Sequence, residues 1–540
     1  MEPKEHKFNR RQFLRTAGKA GLASILLPAC SRHNIKLPAP AQYRGHHHVC
    51  FASEAIQLDP NLLPAIHAAG VTDVWLTGFF YGHWPYPIEN IHQAINTIEK
   101  FGMGAHIVNI PLGHPGDSLG SRDGKMPLTP PEHWSIAVRT DGTTYAGTSL
   151  HSPATEENQA ALRQLQAIGI KNVFLDDDFR LARFAGIIGG CFCDRHRRKF
   201  LDLHGYNMSK WNELLGDIND RNLSPILENW VEFTCDELTD SFRAQQTAAP
   251  SIRLGIMVMC LGSEKAGIRL TDYANLPLRV GEGAFNDHDF APVKNKTTEL
   301  FSALFHRRFV KPENAFSETT AYPVNNLSAA NIAAKLAVPL LADVRHTMFM
   351  SGVTPYPIDR WEIIAPAIRN QKFLREKIAG HQPRGPFKHY WGQHSRYVGD
   401  DNPYSLFLAI GIPFEVTEIP ADNGWTFLSD FDARAAQEGF FKSNGTAFVY
   451  RPQAGAQLPA GQTVAESLES LFEFRRRLIP QLKGIPYVEE EVPAVCAWYP
   501  SVQTVLLWNL TEEKQNLTVN FNGRRPVYIN SLEVAAVSLV

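Results

Sequence analysis

Lys171-Asn-Val-Phe-Leu-Asp176-Asp177-Asp178-Phe-Arg180, followed closely by Gly190-Cys191-Phe-Cys193-Asp-Arg-His196, is the stretch on which the reading of this chain turns. Val173-Phe174-Leu175 is a short apolar run of the kind that forms a parallel strand buried on both faces. Three carboxylates and an arginine come directly after it. In parallel α/β folds that position is the carboxyl end of a strand, where barrels and open sheets carry their chemistry. Adjacent carboxylates repel one another, so a triplet there is normally offset by a metal, a ligand or an arginine.

Outward from this strand the pattern alternates between strand and helix. His48–Phe51, Thr72–Leu76, Ala105–Ile110, Val173–Leu175, Ile252–Met259, Leu278–Val280, Asn314–Phe316 and His346–Met350 are eight strand-like runs. Helical stretches separate them; the clearest has Ile88, Ile91, Ile95, Ile98 and Phe101 at three- and four-residue spacing. Eight such units predict an α/β fold whose first part is a (β/α)8 TIM barrel over residues 45–380. A small α/β domain is expected over 381–485. A C-terminal antiparallel β-sandwich follows over 486–540, where short alternating runs surround the Asn522-Gly523 turn. The Arg475-Arg-Arg477 run is expected on a solvated helix face.

The first thirty residues carry an address. Arg10-Arg11-Gln12-Phe13-Leu14 is a twin-arginine export signature, and the modestly apolar stretch after it is too short and mixed to span a bilayer. Leu27-Pro28-Ala29-Cys30 resembles a lipobox, which makes Cys30 the expected lipidation site. The expectation is an exported, periplasmic or membrane-anchored lipoprotein that meets a membrane through its lipid alone. Lys+Arg 53 against Asp+Glu 55 leaves a net charge of −2, so no electrostatic case exists for nucleic acid. The 7 cysteines show no regular disulfide framework.

With these elements in place, the chain resembles the family-42 β-galactosidases, in which a barrel, a small α/β domain and a β-sandwich follow one another. Two segments carry the likeness: the fourth strand with its Gly190-Cys191-Phe-Cys193-Asp-Arg-His196 sequel, and Phe316-Ser317-Glu318-Thr-Thr-Ala-Tyr322-Pro323 at the seventh strand. The resemblance implies a glycoside hydrolase with Glu318 as nucleophile and an acid/base at strand four. The family has Asn-Glu there, whereas this chain has only the aspartates. Asp178, or else Asp177, is therefore the expected acid, because alternation lets one of them face inward. Arg180 and Asp176 are expected to assist substrate binding, with Trp84, Tyr322, Phe285 and Asp287 in loops at the mouth. Trp134, Tyr145 and Trp361 are further candidates for sugar stacking.

The family's Cys-x-Cys-x-x-Cys segment can hold zinc. Here His196 replaces the third cysteine, and no cysteine in the loop after strand three supplies a fourth ligand. Cys191 and Cys193 are thus expected as small core residues, with no cofactor required. His151 or His114 would have to complete a zinc set that includes His196. The resemblance also implies an oligosaccharide or polysaccharide partner and a middle domain able to support a homo-oligomer. Two other classes fit the same residues: a carbohydrate-binding lipoprotein without catalysis, and a metal-assisted hydrolase using the aspartate triplet.

Overall fold

The computed structural model describes residues 45–112, 130–176, 179–182, 186–259, 261–420, 425–440, 446–449 and 462–540. The export signature, Cys30, His114, Asp177 and Asp178 lie outside them. Eight parallel strands close a barrel: β1 His46–Phe51, β2 Asp73–Phe80, β3 Gly104–Ile110, β4 Asn172–Leu175, β5 Arg253–Val258, β6 Leu278–Val280, β7 Ala315–Thr320 and β8 His346–Met350, with β8 pairing back on β1. All eight expected strands are present.

Two run further than the sequence suggested. β2 continues through Phe79-Phe80, past the expected end at Leu76, and β7 continues to Thr320, past Phe316. Glu318 therefore sits inside its strand, opposite Met348 of β8, and does not close it. Every residue of β7 is buried, so its side chains pack whichever face they take, and polarity alone was a poor guide to where the strand stops.

Helices α1 Leu62–Ala69, α2 Ile88–Lys100, α3 Ala154–Ala167, α4 Asp194–His204, α5 Pro225–Ala248, α6 Val293–His306, α7 Ala329–Lys335 and α8 Trp361–Ile378 lie between or after the strands. α2 shows why. Ile91, Ala94, Ile95 and Ile98 form one buried stripe, Glu89 sits in the first turn and Lys100 in the last, as the helix dipole favours. Each buried isoleucine contributes ~1.5–3 kcal/mol; Ile98→Asp would put a charge in the core and break the contact. Between β5 and β6 the described chain forms two 3-10 turns, Ser263–Ala266 and Leu270–Tyr273. That segment is held by the following domain, through Trp391 Nε1 to the Leu261 carbonyl at 3.2 Å and by the Lys265–Asp401 and Arg396–Glu264 ion pairs.

The small α/β unit is an all-parallel sheet of β9 Phe387–Tyr390, β10 Phe414–Thr417, β11 Trp425–Leu428, β12 Thr446–Val449 and β13 Gln462–Thr463, ordered β10-β9-β11-β12-β13. β9, near the sheet's centre, gave no separate signal because its four residues mix Lys388 and His389 with two aromatics. The C-terminal part pairs β14 Tyr487–Val488, β17 Gln515–Asn520 and β18 Arg524–Ile529 in one antiparallel sheet, and β15 Ala494–Tyr499, β16 Thr504–Asn509 and β19 Val534–Ser538 in the other. Val488, Cys496, Leu507, Leu517 and Val537 share one core between the two sheets, which makes the expected sandwich. The arginine run departs from expectation. Arg475 is buried and donates to the Val488 carbonyl, whereas Arg476 reaches exposed Glu491 at 2.6 Å.

Candidate active site and metal-ligand cluster

Side chains alternate along each barrel strand, so every second residue enters the interior. One interior layer is aromatic. Trp75 meets His106 and Phe174 at 4.7 and 4.5 Å between ring centroids, and Phe316 meets Phe174 and His346 at 5.0 and 4.2 Å. Two residues further along β7, toward the carboxyl rim, stands Glu318.

The centre of the next layer is Arg279 of β6, fully buried. Its Nε lies 3.1 Å from Glu318 Oε2, and its Nη2 donates to Asp176 at the end of β4. Met348 and Met257 sulfurs lie 2.8 and 3.0 Å from its nitrogens, and the guanidinium stands 5.5 Å from the Phe174 ring centre. The Thr320 hydroxyl donates to Glu318. Cys50 of β1 lies beside this group, its thiol pushed up to about 12 by burial. One guanidinium thus gathers the carboxylates of strands four and seven. A buried cation between two carboxylates favours their charged forms, and in a low-dielectric interior each is costly without it.

The meeting of Arg279 with Asp176 was not among the expectations; Arg180, expected to assist substrate binding, is buried with its Nε donating to the Ala182 carbonyl at 3.1 Å. The signal was present in Leu278-Arg-Val280, since an arginine inside a three-residue buried strand must find a partner within the barrel.

The remaining expected residues are dispersed. Trp84 is half-buried and packs on Phe79 at 5.3 Å, next to buried Trp134, whose indole donates to Glu157 at 2.8 Å. Half-buried Tyr322 and Phe285 are joined through backbone, Tyr322 N–H to the Phe285 carbonyl at 2.9 Å. The Asp287 carboxylate accepts from the Ser328 backbone N–H and from Asn331, at 2.8 and 2.7 Å, and so joins the loop after β6 to the start of α7. Trp134, Tyr145 and Trp361 are buried core residues, which corrects their reading as stacking platforms.

A second cluster lies beyond the ends of β3 and β4. Gly190 adopts φ +118°, and a Cβ there would come 2.6 Å from the Trp230 ring, so the chain turns tightly against α5. Phe192 N–H binds the Val138 carbonyl of the hairpin Ile136–Val138/Thr144–Thr148 at 2.9 Å. These contacts set Cys193 at the N-cap of α4, with His196 in its first turn. His151 arrives from the segment after the hairpin. Its Nε2 is 3.3 Å from Cys193 Sγ, His196 Nδ1 is 3.4 Å from the same sulfur, and all three donor atoms lie within 4.8 Å of one another. Cys191 packs beside Cys193.

The contact with the Cys191 thiol, seconded by His151 and His196, holds the Cys193 thiol far below its ordinary range; the same contact and burial push Cys191 up. Burial opposes the charge on His196, but Cys193 and Glu237 overcome it and raise its pKa. Glu237 lies 3.6 Å from His196 Nε2, on the side away from Cys193. Two imidazole nitrogens converging on a thiolate, with a second cysteine adjacent and a carboxylate behind one imidazole, are the donor types of a zinc site. Cys191 packs in the core as expected, while Cys193 also offers its sulfur to the group with His151 and His196.

The class the fold defines is a (β/α)8 barrel followed in series by a parallel α/β unit and a β-sandwich. Among solved structures with that arrangement are β-galactosidases. The chain superposes on the enzyme from Rahnella sp. R3 with a TM-score of 0.59 at 11% identity, covering 92% of this chain and 98% of that one. For the enzyme from Bacillus circulans sp. alkalophilus the values are 0.56, 10%, 92% and 98%. An α-L-fucosidase from Paenibacillus thiaminolyticus gives 0.51, 11%, 88% and 93%. At these identities the likeness is one of fold, and it bears out the architecture that the sequence resemblance implied. No family profile matches the sequence, and no curated protein matches it.

Proposed function

We propose that this chain is an exported glycoside hydrolase acting on a β-galactoside or related glycan, with Glu318 as nucleophile and an acid from the aspartate triplet. The observation that carries the proposal is the meeting of a strand-four and a strand-seven carboxylate on Arg279 inside this barrel. Cleaving a glycosidic bond needs one carboxyl group to protonate the leaving oxygen and another to attack the anomeric carbon. In this reading Arg279 orients Glu318, Asp176 balances the arginine, and Asp178 or Asp177 donates the proton. The twin-arginine signature and Cys30 support export and a lipid anchor, and the likeness to β-galactosidases and a fucosidase supports a carbohydrate substrate; we read the reaction as retaining, which azide rescue tests.

The test is turnover on a panel of chromogenic glycosides and oligosaccharides. Glu318→Gln should keep the fold and lose several orders of magnitude in turnover, ~4–8 kcal/mol of barrier. Of Asp177→Asn and Asp178→Asn, one should lose activity mainly on substrates with poor leaving groups, and azide should partly rescue it. Near wild-type turnover by Glu318→Gln would remove the assignment.

One observation favours a second reading. Arg279 engages both carboxylates, as it would in a barrel that binds a glycan without cleaving it. Saturable glycan binding with no turnover on any member of the panel selects that reading.

The cluster of Cys191, Cys193, His196 and His151 supports a structural zinc. His151, Cys193 and His196 converge, and a zinc held by them, with Cys191 adjacent as a candidate fourth donor, would tie the hairpin loop to α4.

A further inference from the structure

Beyond the rim of β6 lies a second buried charge group that the reaction above does not use. Glu282, two residues past the strand, shares the Lys335 ammonium of α7 with Glu299 of α6. Both carboxylates lie 3.0 Å from Lys335 Nζ, and all three side chains are buried. The two acids are not equally served. Glu299 Oε1 also accepts the Ala284 backbone N–H, at 2.8 Å, and a well-directed bond from Lys335. Lys335 in turn donates to the Ala284 carbonyl at 2.7 Å. Among the described residues, neither oxygen of Glu282 accepts a well-directed hydrogen bond.

The wider count points the same way. Arg279, Lys335 and Lys296 of α6, whose charge acts on Glu299, are three buried cations; Asp176, Glu318, Glu282 and Glu299 are four buried carboxyl groups. Glu318 is near enough to Glu282 for its charge to act on it, and Tyr356, following β8, feels both. A buried carboxylate with neither a cation of its own nor hydrogen bonds is far costlier than the neutral acid.

We infer that Glu282 holds a proton at neutral pH and acts as a positioning residue, leaving Glu318 as the carboxylate that faces Arg279 from β7 without a second anion behind it. Burial, opposed by Lys335 and reinforced by Glu299 and Glu318, places its acidity well to the alkaline side of an ordinary glutamate. The groups facing Glu282 are Lys335 from α7, Glu299 from α6, Glu318 from β7 and Tyr356 after β8, so protonation removes one of three mutually repelling charges. The bearing on catalysis rests on the Glu318 reading above; the proton itself does not.

The experiment is infrared difference spectroscopy on the purified mature chain, with melting temperature measured across pH. The wild type should show the carbonyl stretch of a protonated carboxylic acid at pH 7, and Glu282→Gln should lose it. Glu282→Gln, which mimics the neutral acid, should melt close to wild type at pH 5. Glu299→Gln should melt lower there, because it weakens a charged bond to Lys335. A folded state that retains a proton loses stability as pH rises from the unfolded glutamate value toward the raised one, so the wild type should decline over that range and Glu282→Gln should not.

If the substrate panel finds activity, an alkaline limb in the wild-type kcat/KM profile should vanish in Glu282→Gln. Wild-type protein without the band overturns the inference, as does a reversed order of melting temperatures, which places the proton on Glu299. Should Glu282→Gln not fold, Glu282→Asp decides: a carboxylic-acid band shifted in frequency by that change assigns the proton to position 282, and a band left unshifted places it elsewhere and overturns the inference. Loss of all turnover with the band intact would refute the hydrolase reading alone.

Discussion

Arg279 Nε stands 3.1 Å from the Glu318 carboxylate while the other arm of the same guanidinium binds Asp176, so the floor of the barrel mouth is one arginine joining strands four, six and seven. None of the three residues is a neighbour of another in sequence. The arginine supplies the positive charge that a buried carboxyl group needs nearby in a low-dielectric interior.

Removing that arginine takes a fully buried cation from between two buried carboxyl groups. Arg279→Met should cost about 3–5 kcal/mol of stability, read as a lower urea midpoint with an unchanged m-value. Arg279→Lys should recover part of it, because an ammonium supplies charge but cannot reach both partners in one plane. A midpoint equal to wild type in Arg279→Met would mean that the two acids carry a shared proton instead.

The amino end of the barrel predicts an acid-sensitive step. Trp75 Nε1 donates to His48 Nδ1 at 3.1 Å, which makes His48 Nε2 the donor to His346 Nδ1 at 3.0 Å and His346 Nε2 the donor to the Glu313 carbonyl at 3.1 Å. This chain exists only with both imidazoles neutral. Burial lowers His346 to about 3 and His47 to about 4, and puts His48 well below the ordinary value of 6.5. The unfolded chain takes up these protons first, so stability is complete above pH ~6.5 and falls as pH drops toward 4 and 3. Replacing His48 with Gln should flatten that part of the pH–stability curve; an unchanged slope would show that the imidazoles are not responsible.

Metal analysis of purified protein should give close to one zinc per chain. Chelation, or Cys193→Ser, should lower the melting temperature, by the equivalent of about 2.7 kcal/mol where free zinc stands 100-fold above its Kd. His151→Ala should do the same although it lies more than forty residues from Cys193. Protein that is free of metal as isolated and melts identically with and without added zinc argues for packing alone.

Arg10→Lys combined with Arg11→Lys should leave precursor in the cytoplasm. Cys30→Ala should release the folded body from the membrane fraction without changing its melting curve. Wild-type protein that takes up no palmitate analogue would rule out the lipid anchor.

The order of strands and helices was legible in the sequence because buried parallel strands and amphipathic helices each repeat a short-range pattern. Val173-Phe174-Leu175 and the Ile91–Ile98 stripe announce themselves within a few residues. Glu318 stood out through the family resemblance at the seventh strand, whereas its place inside that strand was not legible, because the buried polar residues after Phe316 do not show the strand continuing.

What the sequence could not decide is which distant groups meet. Arg279 lies 103 positions from Asp176, and their pairing follows from barrel closure. His151 joins Cys193 across 42 positions because the hairpin and the tight turn at Gly190 bring their loops together. Glu282 faces Lys335 and Glu299 only once α6 and α7 have packed behind β6. Charge and ligation depend on distance and burial, and both are properties of the assembled barrel; local pattern determines elements, while tertiary closure determines which of their polar residues must share a charge, a metal or a proton.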